Sequence, residues 1–258
     1  MLSSLDRLLA PAPSRARVAW LKGRTYAHRG LHGEACIENS PSAFRAAVDA
    51  GLGVECDVQR SLDDCPMVFH DWDFARLLGR PDKGADLAAE EWRALRYADG
   101  EAPMSLPELL DLVAGRVPLL IEIKSRRGYD VALSCRRVVE ALRGYEGLHA
   151  VMSFDPRAAA WLRRNAPTTV RGLVMTEEHD RGWIGALRRH LWLWRAAPDF
   201  LAYDVRDLPS SFAAAQRARD LPLLTWTVKT PTLRQVAAEH ADAPIAEGEG
   251  VAMGAIRA

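Results

Sequence analysis

Short apolar runs alternate with helix-type patterns along almost the whole chain, and this alternation restricts the fold more than any other feature. The β-type runs cover residues 25–28, 53–59, 66–70, 118–124, 150–154, 170–175, 200–205, 221–228 and 243–247. Helix-type patterns lie between them, over residues 40–51, 105–115, 129–143, 156–165, 179–196, 210–219 and 231–240. Runs such as PLLIEIK barely alternate between apolar and polar residues, which is typical of strands buried on both faces of a parallel sheet.

The number of these units and the chain length predict one particular α/β architecture. A chain of 258 residues that is 48% apolar can build one large core. Eight or so βα units in about 250 residues fit a TIM (β/α)8 barrel. Residues 60–65 are too few for the crossover between parallel strands, so the second and third runs either pair as a hairpin or one of them is an addition. We therefore predict a single TIM-barrel domain over residues 1–258, with a small insertion of loop and short helix after the third strand.

Composition excludes several classes of partner. The 34 basic and 34 acidic side chains cancel, so no overall charge attracts nucleic acid or anionic lipid, and any binding of anions is expected to be local. The four cysteines lack CxxC spacing, the N-terminal segment lacks the features of a signal peptide, and no segment approaches the roughly 20 apolar residues of a membrane span. These features predict a cytoplasmic protein without a transmembrane segment, and they leave its oligomeric state open. The Trp-rich residues 182–197 are interpreted as an ordinary barrel helix, with peripheral membrane contact or a second subunit as alternatives.

Polar residues collect at the ends of the first four runs. The active site of a TIM barrel lies at the C-terminal ends of its strands, so these side chains are expected to meet there. Glu55 and Asp57 are two residues apart and therefore point to the same face of their strand, and Glu122 and Lys124 repeat this arrangement. The other members of this set are His28, Arg29 and His70.

This set of residue types predicts phosphodiester cleavage. Glu55, Asp57 and Glu122 would be unstable together inside a barrel without a cation, and oxygen ligands select magnesium, calcium or manganese over zinc. Arg29 and Lys124 add fixed positive charges that suit a phosphate.

Histidines titrate near neutral pH, so His28 and His70 are the candidates for the acid and base roles. Their division, and the choice between direct attack by water and a cyclic phosphate intermediate, stay open. Trp226, on the last long run, is a candidate wall of the substrate pocket, with barrel packing as the alternative.

An ordered set of motifs resembles the glycerophosphodiester phosphodiesterase family. The motifs are HRG at 28–30, EN at 38–39, ECDVQ at 55–59, PMVFHD at 66–71 and EIK at 122–124, and the likeness continues through SF at 153–154 and TWTV at 225–228. The resemblance implies a TIM barrel that hydrolyses small-molecule glycerophosphodiesters to glycerol 3-phosphate and an alcohol.

The same resemblance implies roles for individual residues. The metal ligands of the family fall on Glu55, Asp57 and Glu122, and its acid and base on His28 and His70. Arg29 corresponds to a phosphate ligand and Lys124 to the lysine of the same motif.

Several alternatives accompany this interpretation. Glu38 is interpreted as a helix-start residue rather than a metal ligand, and Asp71 as a residue that orients His70 or caps the loop. A lysophospholipase D acting on acylated substrates is the alternative enzyme. A non-catalytic barrel that binds phosphate metabolites is the alternative outside the enzymes.

Overall fold

The computed structural model describes residues 2–34, 36–178 and 180–251. The strands are β1 Tyr26–Ala27, β2 Gly53–Arg60, β3 Pro66–Val68, β4 Leu119–Ile123, β5 His149–Ser153, β6 Val170–Met175, β7 Phe200–Asp204, β8 Leu223–Val228 and β9 Ala243–Ala246. The helices are α1 Leu2–Leu9, α2 Arg15–Val18, α3 Pro41–Asp49, α4 Ala75–Leu78, α5 Ala89–Ala94, α6 Leu106–Val113, α7 Val131–Ala141, α8 Pro156–Asn165, α9 Trp183–Ala196, α10 Ser211–Arg217 and α11 Pro231–His240.

All the predicted strands and helices are present, with small shifts at their ends. Helix α9 begins at Trp183, and the predicted helix start at His179 lies outside the described residues. Helices α1 and α2 were not predicted, because the two prolines that follow α1 make the N-terminal segment resemble a loop.

The chain divides into two compact units, of which the first is Ala27–Leu148. In this unit β2 runs parallel to β4 and antiparallel to β3, with Val58 opposite Val68 and Arg60 opposite Pro66. The hairpin interpretation of residues 60–65 is therefore confirmed, and β3 is the added strand.

The insertion after β3 contains more structure than the single short helix that was predicted. It holds α4, a 3-10 turn at Gly84–Asp86 and α5. Its core is aromatic: the ring centroids of Phe74 and Trp92 are 4.6 Å apart and Phe69 lies edge-on to both rings. These rings hold helices that are too short to be stable in isolation.

The second unit combines Met1–Tyr26 with His149–Ala258. Strands β5 to β9 each pair parallel with the next strand, and α8 to α11 connect them. Apolar side chains of alternating strands and helices form its core, among them Leu173, Leu193, Leu201, Tyr203, Phe212 and Leu223. Continuous apolar runs thus form a parallel sheet covered by helices, as their pattern predicts.

Short local signals set the helix boundaries. Ser40 begins α3 by accepting a hydrogen bond from the Ala43 amide, and Ser105 and Glu108 form a capping box at the start of α6. The element order, with β3 as an extra antiparallel strand, is that of the TIM (β/α)8 class. No helix among the described residues is long and apolar enough to cross a bilayer.

Candidate active site

Neighbouring strands β2 and β4 bring three carboxylates together. The parallel register places Asp57 directly opposite Glu122, and Glu55 lies two residues before Asp57 on the same face. One oxygen from each carboxylate lies within 4.8 Å of the other two. All three residues are buried, with at most 9% of their surface exposed. The predicted acidic cluster is therefore present as a group of convergent oxygen atoms.

The protonation behaviour of this cluster fits a divalent cation. Burial raises the pKa of Glu55 well above its ordinary value, and the charges of Asp57 and Glu122 raise it further. Burial also raises the pKa of Glu122, against the opposing effect of Lys124. Burial alone would raise the pKa of Asp57 as well, but Lys124 and Arg29 outweigh it and hold that pKa low. Lys124 and Arg29 therefore do not balance the negative charge of all three carboxylates, and a further cation would do so. The oxygen-only ligands suit a hard ion such as Mg²⁺ or Ca²⁺.

Two cationic side chains border the carboxylates. Lys124 Nζ lies 3.4 Å from Asp57 Oδ1 and 3.4 Å from Glu122 Oε1. Arg29 Nε lies 3.2 Å from Asp57 Oδ2, and the Arg29 amide donates to Glu55 Oε2 at 3.0 Å. Arg29 and Lys124, the two predicted phosphate ligands, therefore lie at the edge of the acidic cluster.

The tight turn after β1 explains why HRG and EN occur together. Arg29 and Gly30 both have positive φ, of 57° and 81°, and a Cβ atom on Gly30 would lie 2.8 Å from the Ala43 carbonyl carbon. The Asn39 amide donates to the Arg29 carbonyl at 2.8 Å. The Asn39 side chain donates to Asp57 Oδ2 at 3.1 Å. Asn39 therefore ties the turn that carries His28 and Arg29 to the carboxylate on β2.

Glu38 does not act as a helix-start residue, so that interpretation was wrong. Ser40 caps α3, whereas Glu38 Oε1 accepts a hydrogen bond from Arg29 Nη1 at 2.7 Å and another from Arg76 Nη2 at 2.7 Å. Burial alone would raise the pKa of Glu38, but the hydrogen bonds from Arg76 and Arg29 hold it below its usual value. Glu38 is thus a half-buried anion that orients Arg29.

The interpretation of Asp71 as the partner of His70 is confirmed. His70 follows β3, where the Phe69 amide donates to the Asp57 carbonyl at 3.0 Å, and His70 Nδ1 donates to Asp71 Oδ1 at 2.7 Å. Burial lowers the pKa of His70, as do Lys124 and Arg29, while Asp57 and Asp71 oppose this change. The ring is therefore fixed in orientation and tends to be neutral near pH 7.

His28 lies near Asp57 of the acidic cluster. It is half-buried in the turn that directly follows β1. Its charge is one of the influences that lower the pKa of Asp57.

Arg76 is the member of the network that sequence reasoning missed. Its Nε donates to Asp71 Oδ2 at 2.7 Å, and Nη1 donates to Glu38 Oε2 at 2.9 Å. One guanidinium therefore bridges the partner of His70 and the partner of Arg29. Its only signal in the sequence is its position at the start of α4, shortly after His70-Asp71, which does not distinguish it from a surface arginine.

Trp226 lies in the other unit, on β8. Its Nε1 donates to the Ala202 carbonyl at 3.0 Å, and its ring lies edge-on to Phe154 with centroids 5.3 Å apart. The half-buried indole is thus held in place, and its part in substrate binding stays a prediction.

Solved structures provide an independent comparison for this fold. A Silicibacter pomeroyi protein described as a candidate glycerophosphoryl diester phosphodiesterase is 23% identical, with a TM-score of 0.76 over 90% of this chain and 93% of that one. The glycerophosphodiester phosphodiesterase of Thermotoga maritima is 25% identical, with a TM-score of 0.70 over 86% and 93% of the two chains. An Oleispira antarctica phosphodiesterase, in complex with the product sn-glycerol-3-phosphate, is 20% identical, with a TM-score of 0.75 over 88% and 93%. These likenesses confirm the predicted TIM-barrel fold.

Sequence comparison identifies the family. No curated protein matches the chain significantly. The family model described as "Glycerophosphoryl diester phosphodiesterase family" matches residues 28–250, a range that includes every residue of the acidic cluster and both histidines. The chain therefore belongs to the glycerophosphoryl diester phosphodiesterase family.

Proposed function

We propose that this site hydrolyses glycerophosphodiesters to glycerol 3-phosphate and an alcohol. The observation that carries the proposal is the buried cluster of Glu55, Asp57 and Glu122, with Arg29 and Lys124 at its edge. Carboxylates around a cation, next to two fixed positive charges, form a site for a phosphate rather than for a neutral substrate. The bound sn-glycerol-3-phosphate of the Oleispira antarctica structure supports the same substrate class.

The acidic cluster is the proposed metal site. Glu55, Asp57 and Glu122 would hold Mg²⁺ or Ca²⁺, with Mn²⁺ as a further hard ion of suitable chemistry. The ion, when bound, supplies positive charge that stabilises the phosphate during transfer. Arg29 and Lys124 hold the remaining phosphate oxygens and neutralise charge that develops on them. Trp226 is a further proposed substrate-binding residue, with barrel packing as its alternative role.

The two histidines divide the proton transfers. Asp71 holds the Nδ1 hydrogen of His70, so a neutral His70 presents an unprotonated Nε2 to the nucleophile. We assign His70 the role of base on this ground, whether the nucleophile is water or a glycerol hydroxyl. His28 then donates a proton to the leaving alcohol oxygen.

The test is release of glycerol 3-phosphate from glycerophosphocholine by the purified protein. We expect release with Mg²⁺ or Ca²⁺ and none with excess chelator, because the cluster needs a cation to bind the phosphate. Release that persists in chelator would contradict the metal site. Absence of release with every metal, together with tight binding of glycerol 3-phosphate, would favour the non-catalytic barrel.

Lysophospholipase D activity is the alternative enzyme activity. Lysophosphatidylcholine carries the same phosphodiester with an added acyl chain, so the two substrates separate the activities directly. Faster cleavage of lysophosphatidylcholine than of glycerophosphocholine would replace the proposed substrate class. We also propose that residues 1–258 act as a single domain. The proposed location is the cytoplasm, and cell fractionation tests that location.

A further inference from the structure

An exposed apolar surface on α1 and α9 takes no part in the proposed chemistry. Large apolar side chains point to solvent there, with 77% of Trp183, 74% of Leu8 and 56% of Ile184 exposed. Leu5, Leu9, Leu187 and Leu191 add to it, each between 39% and 49% exposed. We call these seven residues the α1–α9 face. Helices α1 and α9 contact each other, and the spacing of these residues places them on one side of each helix. Exposed apolar side chains with this arrangement mark an interaction surface, whereas scattered ones need no explanation.

The two helices are held together by polar side chains that point inward. Asp6 of α1 is buried and accepts hydrogen bonds from His190 Nδ1 at 2.8 Å and Trp194 Nε1 at 2.7 Å, both on α9. Gln216 Nε2 donates to the same carboxylate at 2.8 Å. This anchoring fixes the side of α1 that faces α9 and leaves Leu5, Leu8 and Leu9 exposed. The exposure of the face is therefore a fixed property of the packing and not a frayed end.

Among the described residues of α1 and α9, the exposed charged side chains are arginines. Helix α9 contains no acidic residue, and Arg188 and Arg195 lie on its exposed side next to the apolar stripe. Arg188 is half-exposed and also pairs with Asp180 at 2.6 Å. Arg7 is exposed on α1. Apolar residues bordered by arginines, with a tryptophan at one end, have the chemistry of a helix that lies in the interface of an anionic bilayer.

We propose that the α1–α9 face docks onto the surface of an anionic phospholipid membrane. Helix α9 has 14 residues and so is about 21 Å long, which is enough for its apolar stripe to lie flat in the headgroup region. Arg7, Arg188 and Arg195 then contact lipid phosphates. Trp183 lies at the boundary between headgroups and acyl chains.

A second copy of this chain fits the face less well. A symmetric dimer places the same patch of both subunits together, so it would bring the arginines of one copy close to those of the other. Such like-charge contacts oppose association, whereas an anionic lipid surface neutralises them.

The test is sedimentation of the purified full-length protein with vesicles. One set consists of phosphatidylcholine alone, and the other of phosphatidylcholine and phosphatidylglycerol in equal parts. We expect binding to the anionic vesicles that weakens with added salt, and much weaker binding to the neutral ones. Absence of binding to the anionic vesicles at low salt would overturn the proposal.

Matched variants locate the contact. The double variant Leu187→Glu/Leu191→Glu adds charge to the exposed side of α9, and we expect roughly tenfold or greater loss of vesicle binding. The control is Leu62→Glu, at a leucine on the other unit that is more exposed (63%) than Leu187 (40%) or Leu191 (49%), and we expect it to leave binding unchanged. Equal loss in both variants would show nonspecific adsorption and overturn the proposal.

Two further measurements complete the test. Hydrolysis of glycerophosphocholine in solution is unchanged in the double variant, because the face contributes no residue to the proposed chemistry. Size analysis without lipid gives a monomer under this proposal. A dimer that the double variant dissociates, without vesicle binding, would assign the face to self-association instead.

Discussion

Single residues at the proposed active site differ in how directly they act on the phosphodiester. His28 and His70, the two histidines that the family resemblance selects, both lie close enough to Asp57 for their charges to lower its pKa. His70 has a fixed orientation and a lowered pKa, which suits proton removal near neutral pH. In the proposed mechanism Arg29, Lys124 and the cation held by the carboxylates bind the phosphate, so we expect loss of a histidine to affect turnover more than folding.

We expect His28→Ala and His70→Ala each to lower turnover of glycerophosphocholine by about 100-fold or more, because each removes one proton transfer. His240→Ala is the matched control, since His240 ends α11 in the other unit. Steady-state kinetics and circular dichroism measure the effect. Near-normal turnover in either variant would remove that histidine from the mechanism.

Arg76 is expected to act through its neighbours. Replacing it in Arg76→Met leaves Glu38 and Asp71 without their shared partner, so Arg29 and His70 lose orientation. We expect kcat to fall by roughly tenfold, with a smaller change in KM. We expect Arg76→Lys to keep more activity than Arg76→Met. The lysine ammonium keeps the positive charge but cannot make all the hydrogen bonds of the planar guanidinium.

The matched control for Arg76 lies in the same segment. Arg80 pairs with Asp82 at 2.8 Å on the surface, so Arg80→Met removes an ion pair without touching the network. Equal loss of kcat in the Arg76 and Arg80 variants would show that the segment is sensitive to any lost charge.

At the level of elements, the turn after β1 limits which residues the chain tolerates. Gly30 has φ of 81° and packs against the start of α3, so no side chain fits without displacing that helix or the turn. Strands β2 and β4 were predictable, because their continuous apolar runs are local properties of the sequence. The period of two then places Glu55 and Asp57 on the same face of β2. The capping serines of α3 and α6 were equally visible in the sequence. The short helix predicted in the insertion could not be placed from the sequence, because helices such as α5, with six residues, depend on Trp92 packing against Phe69 and Phe74.

We expect Gly30→Ala to lower the free energy of unfolding by about 1–3 kcal/mol, because alanine is strained at this φ and meets the Ala43 backbone. Activity falls as well, since His28 and Arg29 share the turn. Gly33→Ala is the control, because open space surrounds that position and its φ is not in the left-handed region. Chemical denaturation of both variants measures the difference. Equal stability of the two would show that the turn adjusts without cost.

On the scale of the whole molecule, the acidic cluster links stability to pH and to metal. Glu55 and Glu122 have higher pKa values in the folded than in the unfolded chain. Each therefore contributes stability at low pH that is lost as the pH rises from the unfolded pKa through the folded pKa. Asp57 has a lowered pKa and acts in the opposite sense, contributing stability that is lost only in acid. A bound cation requires ionised ligands, and it stabilises the native state by an amount that grows with the logarithm of the cation concentration above its Kd.

We therefore expect Mg²⁺ to raise Tm, and to raise it more at about pH 8 than at about pH 6, because protons compete for Glu55 and Glu122 at the lower pH. Thermal unfolding with Mg²⁺ and with chelator at both pH values measures this. Asp57→Asn is expected to abolish the Mg²⁺-dependent difference. A metal effect that is equal at both pH values would contradict the assignment of Glu55 and Glu122 as ligands.

The sequence by itself determined the βα succession, the absence of a crossover between the second and third runs, and the shared face of Glu55 and Asp57, because each depends on residues that are close in the chain. Only the tertiary structure decided that Glu38 meets Arg76, 38 residues away, and so joins Arg29 to His70. It also decided that Leu187 and Leu191 face solvent, although their helical spacing is the same as that of core residues. Periodicity shows which side chains share a face of an element. What that face contacts depends on packing between distant segments, which no local pattern contains.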